Sequence, residues 1–137
     1  MSRRLKMLGM LLFLLGLLTG FVTMSLTNPR MGLAAHLEGV MNGTFLVIAG
    51  FVWTELRLFS TIRKMALWAL IYGTFFNWIF TLVAAILGTS KMTPITGKGF
   101  NGTLLHENIV TGGFISVGVA MVFSVAVMTY GLRGKVS

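Results

Sequence analysis

The chain has 137 residues, 55% of them hydrophobic and only 10% charged, with a formal net charge of +8. That length holds one domain, and so apolar a balance excludes an ordinary water-soluble fold and points to an integral membrane protein. The Lys and Arg residues fall between apolar runs rather than in one patch, which argues against a nucleic-acid partner, and the absence of cysteine excludes disulfides, thiolate ligands, a cysteine nucleophile and C-x-x-C-H cofactor attachment.

The first uncharged run, Met7 to Asn28, predicts a helix over about 6–28. Arg3, Arg4 and Lys6 ahead of a leucine-rich stretch would also suit a secretory leader. The apolar stretch is long, however, and no clear A-x-A site precedes Pro29, so a retained span is expected. The second uncharged run, Gly39 to Thr54, has 16 residues and reaches only ~24 Å against a ~30 Å hydrocarbon core. Extending it back to about Leu33 gives a full span over 33–55 and sets His36 and Glu38 at the outer apolar edge. Met65 to Ser90 and Asn108 to Leu132 complete the set, as helices over about 65–89 and 107–132. The expected fold is therefore all-α, a single transmembrane domain over 1–137 built as a four-helix membrane bundle.

With the N-terminus inside, Arg3, Arg4, Lys6, Arg57, Arg63, Lys64, Arg133 and Lys135 are cytoplasmic, against Arg30, Lys91 and Lys98 outside, so both termini are expected in the cytoplasm. Trp53, Trp68 and Tyr130 then read as interface anchors. The one long link, about 89–107, carries Pro94, Gly97, Gly99 and Asn101-Gly102 and reads as either disordered or a lid.

Helices in lipid associate through close backbone approach and polar contacts, since lipid tails already solvate apolar side chains. Gly16 and Gly20 on the first span, Ala35, Gly39 and Gly43 on the second, and Gly112, Ser116, Ala120 and Ser124 on the fourth recur every four residues and should face other helices. On the third span Thr74, Asn77 and Thr81 share a face, with Asn77 near mid-membrane, where either a packing contact or a substrate contact would satisfy its amide.

On the second span His36, Gly39 and Gly43 lie at i, i+3 and i+7, so the imidazole shares its face with two positions that lack a side chain. That face suits a large flat ligand. Glu38 and Asn42, at i and i+4, share a different face. His106 and Glu107 begin the fourth span at about the same depth, so both histidines and two carboxylates are expected to converge there as a possible second site. No H-E-x-x-H or similar pairing supports a zinc or iron centre. For His106 the ordinary reading is a snorkelling imidazole; for His36 it is the axial ligand of a b-type haem, lying against Gly39 and Gly43.

The stretch "AAHLEGVMNGTFLVIAG", followed in the third span by "YGTFFNWIF", resembles the small four-helix membrane isomerases that include hydroxylaminobenzene mutase and styrene oxide isomerase. The length and the leading "MSRRLKMLGMLLFLLGLLTGF" look most like the mutase members. The resemblance implies a haem-dependent intramolecular hydroxyl transfer, hydroxylaminobenzene to 2-aminophenol, of the kind used in nitroaromatic degradation. It implies a homotrimer in the bacterial inner membrane, with non-covalent haem b between neighbouring subunits. His36 matches the family's axial histidine, and Asn42 matches the asparagine that hydrogen-bonds the substrate oxygen. The tyrosine that the epoxide isomerases use on the third helix is missing, since Phe80 or Thr81 stands in the matching region. Glu38, Asn42 and Asn77 are the candidate catalytic residues, with Glu38 or His106 moving the ring proton. The alternatives are epoxide-to-aldehyde isomerisation and, from another class, a haem-b electron carrier or a structural membrane subunit.

Overall fold

The computed structural model describes residues 1–133; Lys135, counted above among the inner charges, lies outside them. Four helices follow one another: α1 Ser2–Val22, α2 Pro29–Val52, α3 Ser60–Leu87 and α4 Leu104–Gly131, with a 3-10 turn at Thr23–Ser25. Each is long and apolar enough to cross a membrane, and no strand occurs among the described residues. The packed neighbours are α1 on α2, α2 on α3 and α3 on α4. Chain order is thus also spatial order, as is usual for consecutive elements.

α2, α3 and α4 begin earlier than their apolar runs suggest; for α2 and α4 a side-chain cap sets the start, while α3 begins at Ser60 without one. The Asn28 side chain accepts from the Met31 N–H at 3.3 Å, and Pro29 fills the first helical position, where its missing N–H costs nothing. This start carries His36 about two turns into α2 and Glu38 about two and a half, ~13 Å along the axis from Pro29, rather than leaving them at the edge. α4 opens on Thr103, whose Oγ1 accepts from the His106 N–H at 3.2 Å. α3 ends at Gly88, where φ is +65°, a left-handed conformation that favours glycine.

The seam between α1 and α2 is built on glycine. A Cβ placed on Gly39 would sit 2.4 Å from the Gly16 Cα, and one on Gly43 would sit 2.7 Å from the Gly9 carbonyl oxygen, so the two backbones touch directly. The expected small-residue stripe of α2 therefore faces α1. On α4 the close approach falls at Gly113, against the Phe80 ring, while the expected Gly112 is open. A Gly39→Ala variant pushes a methyl into backbone that has no rotamer to yield. It is expected to cost about 1–3 kcal/mol, read as an earlier midpoint in detergent-denaturation titration; an unaltered midpoint would mean that these helices do not touch.

Near the end where α1 and α3 begin, a core of Leu5, Leu46, Leu70, Met128 and Trp53 draws on all four helices. Trp53 is 0% exposed, which corrects its reading as an interface anchor; Trp68 and Tyr130, 68% and 65% exposed, remain free for that role. The buried indole is roofed by Arg63, whose Nη2 donates to the Trp53 carbonyl at 2.9 Å.

At the opposite end the link between α3 and α4 is an ordered strap. The Glu107 carboxylate accepts from the backbone N–H groups of Ser90, Lys91 and Gly102 at 2.9, 3.0 and 3.1 Å. Buried Asn28 donates to the Thr96 carbonyl at 2.9 Å, and Arg30 donates to that of Lys98. The strap is thereby tied across the start of α2.

Candidate functional site on the two flanks of α2

Residues two apart on a helix lie about 200° apart around its axis. His36 therefore turns to the flank facing α1, and Glu38 to the flank facing α3. Each flank carries its own polar arrangement.

On the α1 flank, His36 Nδ1 lies 2.8 Å from the Gly16 carbonyl oxygen. A carbonyl only accepts, so Nδ1 carries the proton, which leaves Nε2 as the nitrogen available to a metal ion. This is the second contact that fixes tautomer and ring plane in metal-ligating histidines. Gly20, one turn further along α1, makes room for it, since a Cβ there would meet Nδ1 at 2.9 Å. A Gly20→Ala variant is expected to keep its helices, because a side chain and not backbone must move, while turning the imidazole away. Unchanged helicity by circular dichroism with a shifted His36 ring resonance would report this; a ring resonance like that of the parent would contradict it.

The donor chemistry of His36 thus fits an axial ligand that uses Nε2. The glycine cradle expected beside it does not fit. Gly39 and Gly43 are buried against Gly16, Phe13 and Gly9 of α1, so within one chain no planar group lies on them. Their role is to admit α1, and through it the Gly16 carbonyl that orients His36.

On the α3 flank, Glu38 Oε2 accepts from Asn42 Nδ2 at 2.9 Å and from Asn77 Nδ2 at 2.5 Å. The three candidate catalytic residues thus form one cluster spanning two helices. Asn42 is 7% exposed, and the other two are partly buried. A carboxylate inside a membrane needs such donors, and charge-assisted hydrogen bonds of this kind are strong. Each amide keeps a second N–H and its carbonyl oxygen, so the cluster still offers donors and acceptors to a small polar group. Thr74 and Thr81, expected on the same face as Asn77, are buried and donate to their own helix at Leu70 and Asn77. Asn77 alone of the three reaches across to α2.

The expected convergence of His36, Glu38, His106 and Glu107 is not formed. α4 packs on α3, His36 faces α1, and Glu107 is engaged by the strap. Among the described residues no group of three or more His, Asp or Glu side chains could hold a metal ion. Sequence reasoning also missed two interhelical bonds. Trp78 Nε1 donates to Thr19 Oγ1 at 3.1 Å, and the Tyr72 hydroxyl meets Ser116 Oγ at 2.6 Å. The only signal for either was a polar residue in an apolar span, with nothing to name its partner.

Four spans with an oriented imidazole and a carboxylate–diamide cluster between them define a small polytopic helical membrane protein that carries polar groups within its spans. The chain belongs to the styrene oxide isomerase family, whose sequence profile matches residues 1–133. It is 44% identical over 134 residues to hydroxylaminobenzene mutase HabB of Ectopseudomonas oleovorans, covering 97% of this chain and 82% of that one. It is 40% identical over 125 residues to hydroxylaminobenzene mutase HabA of the same organism, covering 90% of this chain and 93% of that one. No solved structure matches.

Proposed function

We propose that this chain is a membrane-embedded isomerase that converts hydroxylaminobenzene to 2-aminophenol, with haem b held by His36. The observation that carries the reaction is the 44% identity, along 97% of this chain, to a protein named hydroxylaminobenzene mutase. Substrate and product are isomers. The N–O bond breaks, the oxygen joins the ortho carbon, and the proton displaced from that carbon is balanced by one gained at nitrogen, with no oxidant or reductant.

His36 would bind the iron through Nε2 while Gly16 holds its Nδ1–H, a second contact that also raises ligand basicity. When bound, the haem would supply a Lewis acid toward the hydroxylamine oxygen. The remaining work falls to α2 and α3. Glu38 takes the proton from the ortho carbon and returns it to nitrogen, as a general base and then a general acid. Asn42 and Asn77 hold the carboxylate still, and their second N–H groups steady the substrate oxygen. The surrounding spans limit bulk water, which would otherwise capture an electron-poor arylamine.

His36 and Glu38 occupy opposite flanks of one α2, so the reading further takes the two half-sites to meet across a subunit contact. One chain's His36 then faces a neighbour's Glu38 cluster in a homotrimer. The location proposed is a bacterial inner membrane, and the distribution of Lys and Arg supports cytoplasmic termini.

The family's name favours a second reading, isomerisation of an aryl epoxide to an aldehyde. Against it, the Tyr72 hydroxyl of α3 is already bonded to Ser116, and Phe80 and Thr81 supply no phenol. Supplying hydroxylaminobenzene and styrene oxide separately to the purified protein, with no reductant, decides between the two. 2-Aminophenol is the expected product. Phenylacetaldehyde without 2-aminophenol would replace the first reading with the second, and neither product would remove both.

A further inference from the structure

Between the first turns of α1 and α3 runs a furrow made of three cavities of about 370, 440 and 410 Å³. The first and second share Met1, Lys64 and Leu67, and the second and third share Leu8, Trp68 and Ile71, so they adjoin one another along α3. Its mouth is cationic, with Arg4, Arg63, Lys64 and the Met1 residue on the lining. No acidic residue lines any part of it. Beyond Lys64 the walls turn apolar as far as Phe75, Phe76 and Ile79. Lys64 to Phe75 is ~16 Å of helix, about half of a ~30 Å hydrocarbon core and thus the depth of one leaflet.

Trp53 lines the mouth as well, and although it is fully buried its indole Nε1–H has no hydrogen-bond partner. Such a group is costly to leave unmade, but at 0% exposure it does not reach a ligand in the furrow and takes no part in the site.

We propose that this furrow is a binding site for one anionic phospholipid, its phosphate among Arg4, Lys64 and Arg63 and one acyl chain along Leu8, Ile71 and Phe75. Charge selects the occupant. Basic pockets at the positively charged side of a membrane protein hold anionic headgroups. A second copy of this chain is poorly suited to the mouth, because it has only three acids. Glu38 is bonded to two amides, Glu107 clamps the strap, and Glu55 alone is left.

The test uses the full chain in its native assembly, delipidated in mild detergent and offered equal amounts of phosphatidylglycerol and phosphatidylcholine with identical acyl chains. Lipid retained is counted by native mass spectrometry. The parent protein is expected to retain phosphatidylglycerol over phosphatidylcholine by on the order of tenfold. The Arg4→Gln/Lys64→Gln double variant should bring that ratio close to one. Arg4→Lys/Lys64→Arg, which keeps the charge, should restore it, and Lys91→Gln/Lys98→Gln, which removes equal charge elsewhere, should leave it unchanged. A parent ratio near one, an equal loss in the Lys91/Lys98 control, or displacement of the lipid by millimolar glycerol phosphate would each overturn the proposal. So would a change of oligomeric state in the Arg4/Lys64 variant with no change in lipid, since the furrow would then be a subunit contact.

Discussion

Replacing His36 by alanine is expected to remove the Soret band of the purified protein and to lower kcat/KM for hydroxylaminobenzene by about a thousandfold or more. The size follows from what a Lewis acid contributes to stabilising developing charge, several kcal/mol, at ~1.4 kcal/mol per tenfold in rate. The fold should survive. His36 is partly buried at the edge of the α1–α2 seam, and the direct backbone contacts at Gly16 and Gly39 do not depend on its ring. Added imidazole should restore part of both signals, because the truncated side chain leaves the Gly16 carbonyl free to orient a diffusible ring in the same way. A wild-type protein with no Soret band, or a variant whose band is intact, removes the cofactor from the proposal and leaves the isomerase reading to stand on its relatives.

Glu38→Gln separates chemistry from cofactor. The substitution keeps size and shape, and its carbonyl can still accept from Asn42 and Asn77, but it cannot take up a proton. The haem spectrum is expected to be unchanged while kcat falls by roughly 10²–10⁴, the usual contribution of a positioned acid–base group. Glu38→Asp, with the carboxylate drawn back by one carbon, should fall between the two. Turnover within twofold of the parent in Glu38→Gln would relieve Glu38 of proton transfer and leave the cluster as an interhelical tie.

The polar residues of the candidate site could be picked out from the sequence because a membrane penalises polar groups so heavily. His36, Glu38, Asn42 and Asn77 stand out against apolar surroundings without any knowledge of the fold. Their pairing was less legible. That Glu38 would share one oxygen between an amide a turn away and another on the next helix depends on the register of α3 against α2, and register depends on packing detail at Trp78, Thr19 and Gly39. The glycines show the same limit. Their spacing marked a bare face on α2, and a bare face suits a planar ligand or another helix equally well, so only the path of α1 could decide.

Composition and hydropathy alone determined that this is a chain of four spans with its basic residues gathered toward one end, because length, apolarity and charge act on each segment independently of the others. The tertiary structure decided what those spans do to one another. It closed Gly39 and Gly43 against α1, drew Glu107 away from the candidate site to clamp a strap, and set His36 and Glu38 on opposite flanks of one helix. The physical reason is that hydrogen bonds and backbone contacts in lipid are pairwise and directional. A sequence states which groups need a partner, and only the packed helices supply one.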